Sequence, residues 1–393
     1  MYGELMNEKT SLQRIMLALE HKETSRIPFD LGGAAVTGIN INALRNLREY
    51  LGLKGEPELR DKVTQLAWTG SDVIELFGVD VLSASPNTPT NKGLAENLGV
   101  CGGYDRLRDE FGIGWKMPLS GGHYYDLYDS PLSEINTVAE VGNYPWPDPL
   151  DETRYTGLAN KVKYITEVEK KAFVCGRMSS GMWEHAMWLR GYEQFFMDMI
   201  LDKPIVEAIM EKILEIKMAY WGCYLDEIGD KALIISCADD LGSTNGLLIS
   251  LDMYKEQIWP YHKRLFAFIK KRAVSKVYIF FHNDGAIYES LPLLIEAGVD
   301  IINPWQVNCA GMDDTAKFKR EFGNDLTVWG GTCNAPTMEF GTTQEVKDET
   351  KRRIDDLAPG GGFIAAPIHV IQGGVPPENI LAWWETIREY GQY

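Results

Sequence analysis

Short apolar runs alternate with amphipathic stretches along this chain. Runs of strand character fall at residues 172–175 (AFVC), 232–237 (ALIISC), 277–281 (VYIFF), 299–302 (VDII), 326–329 (LTVW) and 362–366 (GFIAA). Weaker runs at 27–31 (IPFDL) and 79–82 (VDVL) bring the total to eight. The apolar period shifts toward that of a helix at 11–20, 192–201, 204–227, 254–274, 313–322 and 343–357. Pro260 marks a kink or break in the fourth of these, and in the last Val346 and Ile354 share an inner face. Strands alternating with helices through short connections predict a parallel sheet joined by right-handed crossovers. From residue 171 onward the units are regular enough to favour a closed α/β barrel over an open sheet.

Two segments depart from that rhythm. Residues 1–25 read as an N-terminal helical extension. Residues 86–150 are rich in Gly, Pro, Asn and Asp and carry a PWPDP turn at 145–149, which predicts an irregular insertion within a single domain spanning 1–393.

Composition sets limits on function. Hydrophobic residues make up 45% and charged residues 24%, as expected of a chain that buries a sizeable core. The formal net charge of -17 disfavours nucleic acid and anionic membrane as partners. The six cysteines are scattered, with no CxxC, and read as reduced thiols. With no apolar leader in MYGELMNEKTSLQRIM and no membrane-length apolar window, the expected location is cytoplasmic.

The candidate chemistry sits where apolar runs end. VYIFF runs into His282, Asn283, Asp284 and Gly285. Side chains two apart on a strand point the same way, so His282 and Asp284 would share a side at the strand's C-terminal end. In an α/β barrel that end builds the active site. A strand-end His beside an ordinary turn Asp fits the same residues. His369 follows the last apolar run, and Cys333 follows Gly330 and Gly331, where the backbone can approach a ligand closely. Asp239 and Asp240 end the ALIISC run, and at most one of them would enter a barrel. Asp239 or Glu184 could act as an acid or orient a ligand, and a helix-start or turn role fits both equally well. Asn303 and Gln306 could donate hydrogen bonds at the same rim. Trp183, Trp188, Trp305 and Trp329 lie on the rim loops, where they would line a pocket for a flat substrate or pack in the core.

Several stretches together resemble the uroporphyrinogen decarboxylase superfamily. They are RIMLALEHKETSRIPFDLGG (14–33), PWPDP, LRGYEQFF (189–196), ADDLG (238–242), HNDG, GVDIINPWQ (298–306), WGGTC and VPPENI (375–380). No single one is specific; their order and spacing carry the resemblance. It implies a distorted (β/α)8 TIM barrel. The decarboxylases of that group use an Arg-rich loop after the first strand, where this chain has Asp30, Leu31, Gly32 and Gly33. The chain is closer to the zinc-dependent corrinoid methyltransferase branch, whose pattern is His-x-Cys at one strand end with a further Cys after the last strand. Here Asp284 replaces the first Cys and His369 the last, and Cys333 follows the preceding strand.

The resemblance therefore implies Zn²⁺ held by His282, His369 and Asp284, with Cys333 as a further ligand. It implies a methyl group moved from a small methylated donor to the corrinoid (cobalamin) of a partner protein. Asp239 or Glu184 would handle the leaving group's proton, and Asn303, Gln306, Trp183 and Trp305 would contact the donor. A ligand set richer in N and O suits an aryl methyl ether better than a thiol. A metal-independent lyase and a non-catalytic corrinoid- or tetrapyrrole-binding protein are the other readings. A homodimer is compatible with any of them.

Overall fold

The computed structural model describes residues 9–393. Its centre is a parallel sheet of seven strands: β1 (Val81–Ala84), β2 (Ala172–Cys175), β3 (Ile234–Ala238), β4 (Tyr278–His282), β5 (Ile301–Asn303), β6 (Thr327–Trp329) and β7 (Phe363–Ile364), each beside the next in chain order. The two ends of the sheet meet through residues 27–31. Phe29 bridges Ala365 in parallel, the Asp30 amide donates to Ala365 O at 2.8 Å, and the Asp80 amide donates to Phe29 O at 2.8 Å. Both weak early runs are thus used: 27–31 closes the barrel and 79–82 leads into β1.

The strands carry near-continuous apolar runs because both faces are buried. Val81, Val174, Ile234, Phe280, Ile301, Trp329 and Ile364 form one cluster inside the barrel. Phe173, Ile235, Phe281, Ile302, Val328 and Phe363 belong to the cluster shared with the outer helices. Burying a side chain such as Phe280 or Ile301 contributes about 1.5–3 kcal/mol. The helix Ser11–Leu19 closes the barrel's lower end, where Ile15, Ala18 and Leu19 join the inner cluster. Thr10 and Gln13 form a capping box at its start. Residues 1–8 of the expected extension lie outside the described residues.

The other helices follow the sequence pattern closely. Lys203–Ile228 is one 26-residue helix. Pro260 sits in the first turn of the helix Trp259–Arg272, after a turn of π-helix at Tyr254–Ile258. A proline lacks an N–H to donate, and the first turn needs none. The insertion differs from expectation. It contains an antiparallel sheet of four consecutive strands: Glu96–Cys101, Tyr104–Arg108, Gly114–Pro118 and Asp126–Asp129. Its first strand is mostly exposed, so burial does not mark it as it marks the barrel strands. Gly102 and Gly103 supply the positive-φ turn between the first two strands. Among the described residues no helix is long and apolar enough to cross a membrane.

Candidate metal centre

On β4, Tyr278 and Phe280 face the barrel interior, and the strand period brings His282 to the same side. His282, Asp284 and His369 offer one ligand atom each, all within 4.8 Å of one another. Asp284 Oδ1 lies 4.0 Å from His282 Nε2, and Asp284 Oδ2 lies 3.5 Å from His369 Nε2. Donors bound to one zinc in a tetrahedral arrangement stand about 3.4 Å apart. Asp284 Oδ1 is buried with no hydrogen-bond partner. A buried carboxylate oxygen without a donor is costly, and a cation between it and the two imidazoles would remove that cost. The residues therefore fit a zinc ion, with the three protein ligands typical of catalytic sites.

Asn303, at the end of β5, fixes the chemistry of His282. Its Nδ2 donates to Trp329 O at 2.6 Å, so its Oδ1 faces His282 Nδ1 at 2.8 Å. An amide oxygen only accepts, so His282 carries its proton on Nδ1 and presents a free lone pair on Nε2 toward Asp284 and His369. Burial pushes the His282 pKa down to about 4; Asp284 raises it and His369 lowers it. The ring is neutral at pH 7, the form a metal needs.

The remaining candidates separate. Gln306 lines the cavity beside the cluster, and its Oε1 accepts from the Gly285 amide, which holds the turn after Asp284. Glu184 is buried. Burial first, then Asp240 and Asp239, push its pKa well above the usual carboxylate range, and Ser180 Oγ donates to it.

Asp239 does not reach the cluster as a catalytic acid. It is fully buried, with Oδ2 accepting from the Met182 amide (3.0 Å) and His262 Nε2 (2.6 Å), and Oδ1 from the Glu184 amide (2.9 Å). Those bonds cap the helix Trp183–Arg190 and place Glu184 on it. A Cβ at Gly181 would lie 1.9 Å from Asp239 Oδ1, so only glycine admits this approach.

Cys333 also stands apart from the ligand group. It edges the cavity and is buried. Burial pushes its pKa up to about 12, and its sulfur is not among the ligand atoms that His282, Asp284 and His369 bring together. Trp183 and Trp305 are core, not pocket wall. Trp183 Nε1 donates to Asp240 O at 3.1 Å, with Phe195 and Phe196 against its ring. Trp305 Nε1 donates to Met312 O at 2.7 Å, with Phe318 at 4.2 Å.

Two residues at the site, Tyr124 and Gln372, escaped sequence reasoning, and Asp240 was paired there with Asp239 without a choice between them. Asp240, not Asp239, meets the cluster: its Oδ1 accepts from the Asp284 amide at 2.8 Å, and burial raises its pKa. Tyr124 arrives from the insertion and lines with Gln372 a cavity of about 340 Å³ over Asp284 and His369. The adjacent pair Asp239 and Asp240 did signal one inward carboxylate. Nothing in the sequence places Tyr124 or Gln372 over the barrel.

Comparison with known proteins places this geometry. A profile of the family described as Uroporphyrinogen decarboxylase (URO-D) matches residues 129–390. The chain belongs to the uroporphyrinogen decarboxylase family. A uroporphyrinogen decarboxylase from Actinobacillus pleuropneumoniae serotype 5b is 22% identical over 66% of this chain and 70% of its own length. A methylated-thiol–coenzyme M methyltransferase from Methanosarcina mazei is 23% identical over 75% of each chain. Among solved structures, a methyltransferase from Methanosarcina mazei superposes with a TM-score of 0.66 at 16% identity, covering 98% of this chain and 99% of that one. At that identity the superposition establishes the fold. This family member thus resembles both decarboxylases and a methyltransferase, and is an enzyme-type barrel with a His/Asp/His group at its mouth.

Proposed function

We propose that this family member is a zinc-dependent methyltransferase, acting as a single barrel domain. It would move a methyl group from a small methylated donor, an aryl methyl ether in the first instance, to the corrinoid of a partner protein. The observation that carries the reading is the convergence of His282, Asp284 and His369 on one point, with an orphaned oxygen on Asp284. The methyltransferase relative adds to it. Bound metal would supply Lewis acidity toward the donor's heteroatom, and the partner's corrinoid the nucleophile.

The chain's own residues hold the rest. Asn303 fixes the His282 tautomer, and Gln306 fixes the turn that carries Asp284. The cavity under Tyr124 and Gln372 confines the donor beside the ligand group. When a methyl leaves a heteroatom, that atom retains the bonding pair and needs a proton. Glu184 and Asp240, both raised by burial, are the carboxyl groups proposed to supply it. The decarboxylase relatives favour a second reading, a metal-independent lyase on another substrate.

The test is methyl transfer from a panel of methylated donors to cob(I)alamin, with wild type and Glu184→Gln. The expected result is turnover that falls by roughly 10²–10⁴ in Glu184→Gln while zinc content holds. Equal turnover in both would remove Glu184 from the mechanism. No turnover with any donor class would remove the methyltransferase reading.

A further inference from the structure

Lys217 is a buried cation with no part in the chemistry above. It lies on the helix Lys203–Ile228 and is 6% exposed. Its Nζ donates to Met178 O at 2.9 Å and to Ser180 O, and among the described residues none of its hydrogen bonds goes to a carboxylate. Burial pulls its pKa down to about 8, against a smaller upward pull from Asp239, so it stays charged at pH 7. A buried ammonium held by carbonyls alone is costly.

Those two carbonyls flank Ser179, and Ser179 is held at a φ of 56°, in the left-handed region. There the Cβ of an ordinary residue crowds the following carbonyl, and the conformation persists only where the surroundings fix it. Ser179 is fixed from two sides. Lys217 ties down the carbonyls before and after it. His185 holds its side chain: the Nδ1 of His185 donates to Gly181 O at 3.1 Å, so its Nε2 accepts from Ser179 Oγ at 3.0 Å. The turn delivers the next residue to the site, where Ser180 Oγ donates to Glu184 Oε2. Beyond it, Asp239 takes the Met182 and Glu184 amides. The loop is thus held by its carbonyls from the outer helix and by its amides from the end of β3.

We propose that Lys217 is a positioning residue: it clamps the left-handed turn at Ser179 and so aims Ser180 at the Glu184 carboxyl. That Glu184 serves as an acid rests on the methyltransferase reading; the clamp on the loop does not. The charged groups that face Glu184 are Arg177, Asp239, Asp240 and Lys217, with the Tyr192 hydroxyl close by.

Infrared spectroscopy of the carboxyl band that disappears in Glu184→Gln tests this in wild type, in Lys217→Met and in Lys217→Met combined with Ser179→Gly. Methionine keeps much of the length of the lysine stem and cannot bond the two carbonyls; circular dichroism reads folding. In Lys217→Met the band is expected to move to higher frequency as the Ser180 bond is lost. Its pH midpoint is expected to rise by about one unit or more, because the carboxylate has lost a donor and a cation. Glycine adopts a positive φ without strain, so adding Ser179→Gly is expected to bring the band back toward wild type although it restores no charge. Methyl transfer to cob(I)alamin from the donor panel is expected to follow the same order, with kcat about tenfold or more lower in Lys217→Met and the donor KM unchanged. Lys217→Met that folds only with Ser179→Gly added would also support the clamp. The proposal is overturned if the Glu184 band in Lys217→Met matches wild type, if adding Ser179→Gly recovers none of the change, or if neither variant folds. A Glu184 band that depends on Lys217, without methyl transfer from any donor, would keep the clamp and reject the methyltransferase reading.

Discussion

Asn303→Ala tests whether the ligand group is built for a metal or is an incidental meeting of side chains. Asn303 is 1% exposed and makes two buried hydrogen bonds, to His282 Nδ1 at 2.8 Å and to Trp329 O at 2.6 Å. Alanine leaves both partners unsatisfied. Each orphaned buried group costs about 1–3 kcal/mol, so folding stability should drop by about 2–4 kcal/mol once some water entry is allowed. It also frees the His282 ring to rotate and to take the other tautomer. Loss of such an outer partner lowers metal affinity by about 10–100-fold, or about 1.4–2.7 kcal/mol. Asn303→Asp separates the two effects. Its carboxylate still accepts from His282 Nδ1, so zinc affinity is held, while the lost donor to Trp329 O still destabilises the fold. The assay is zinc competition against a chromogenic chelator at pH 7, with denaturation curves alongside. Unchanged zinc affinity in Asn303→Ala, or an equal loss in Asn303→Asp, would refute the claim that Asn303 sets the His282 lone pair.

Other outcomes follow from the same geometry. Cys333→Ala should leave zinc content unchanged, because its sulfur is not among the ligand atoms that His282, Asp284 and His369 bring together; metal analysis showing less zinc would return Cys333 to the ligand set. His185 is fully buried, its ring 4.3 Å from that of Phe111, and burial holds its pKa well below the usual value. The unfolded chain therefore binds a proton below pH about 6.5 that the folded chain refuses. This part of the stability is present above that pH and is lost as pH falls, at up to about 1.4 kcal/mol per pH unit. Urea denaturation between pH 7 and pH 5 should show a shallower pH dependence in His185→Gln than in wild type; parallel curves would contradict the assignment.

Much of the barrel could be read from the sequence because its strands are buried on both faces and stand out as apolar runs. The closing segment at 27–31 was faint for a local reason: it makes a single parallel bridge, at Phe29 to Ala365, and turns at once into Gly32 and Gly33. The insertion's sheet was illegible because its strands are largely half-buried or exposed, so no continuous apolar run marks them as it marks the barrel strands. At the site, strand period alone put His282 and Asp284 on one side. His369 needed the barrel's closure, which brings the ends of β4 and β7 together. Asp239 and Asp240 could not be told apart, since the choice depends on Gly181 admitting the Asp239 carboxylate. Trp183 and Trp305 look the same in sequence whether they line a pocket or fill a core. Only the positions of Phe195 and Phe318 decide that they are core.

The most direct test of the central claim is the zinc content of the purified protein beside His282→Ala, Asp284→Asn and His369→Ala. The account predicts about one zinc per chain in wild type, as a single three-ligand site holds. It predicts loss of that zinc in both histidine variants and weakened retention in Asp284→Asn. Wild type that takes up no zinc on reconstitution, or histidine variants that retain it, would contradict the assignment of this site to a metal.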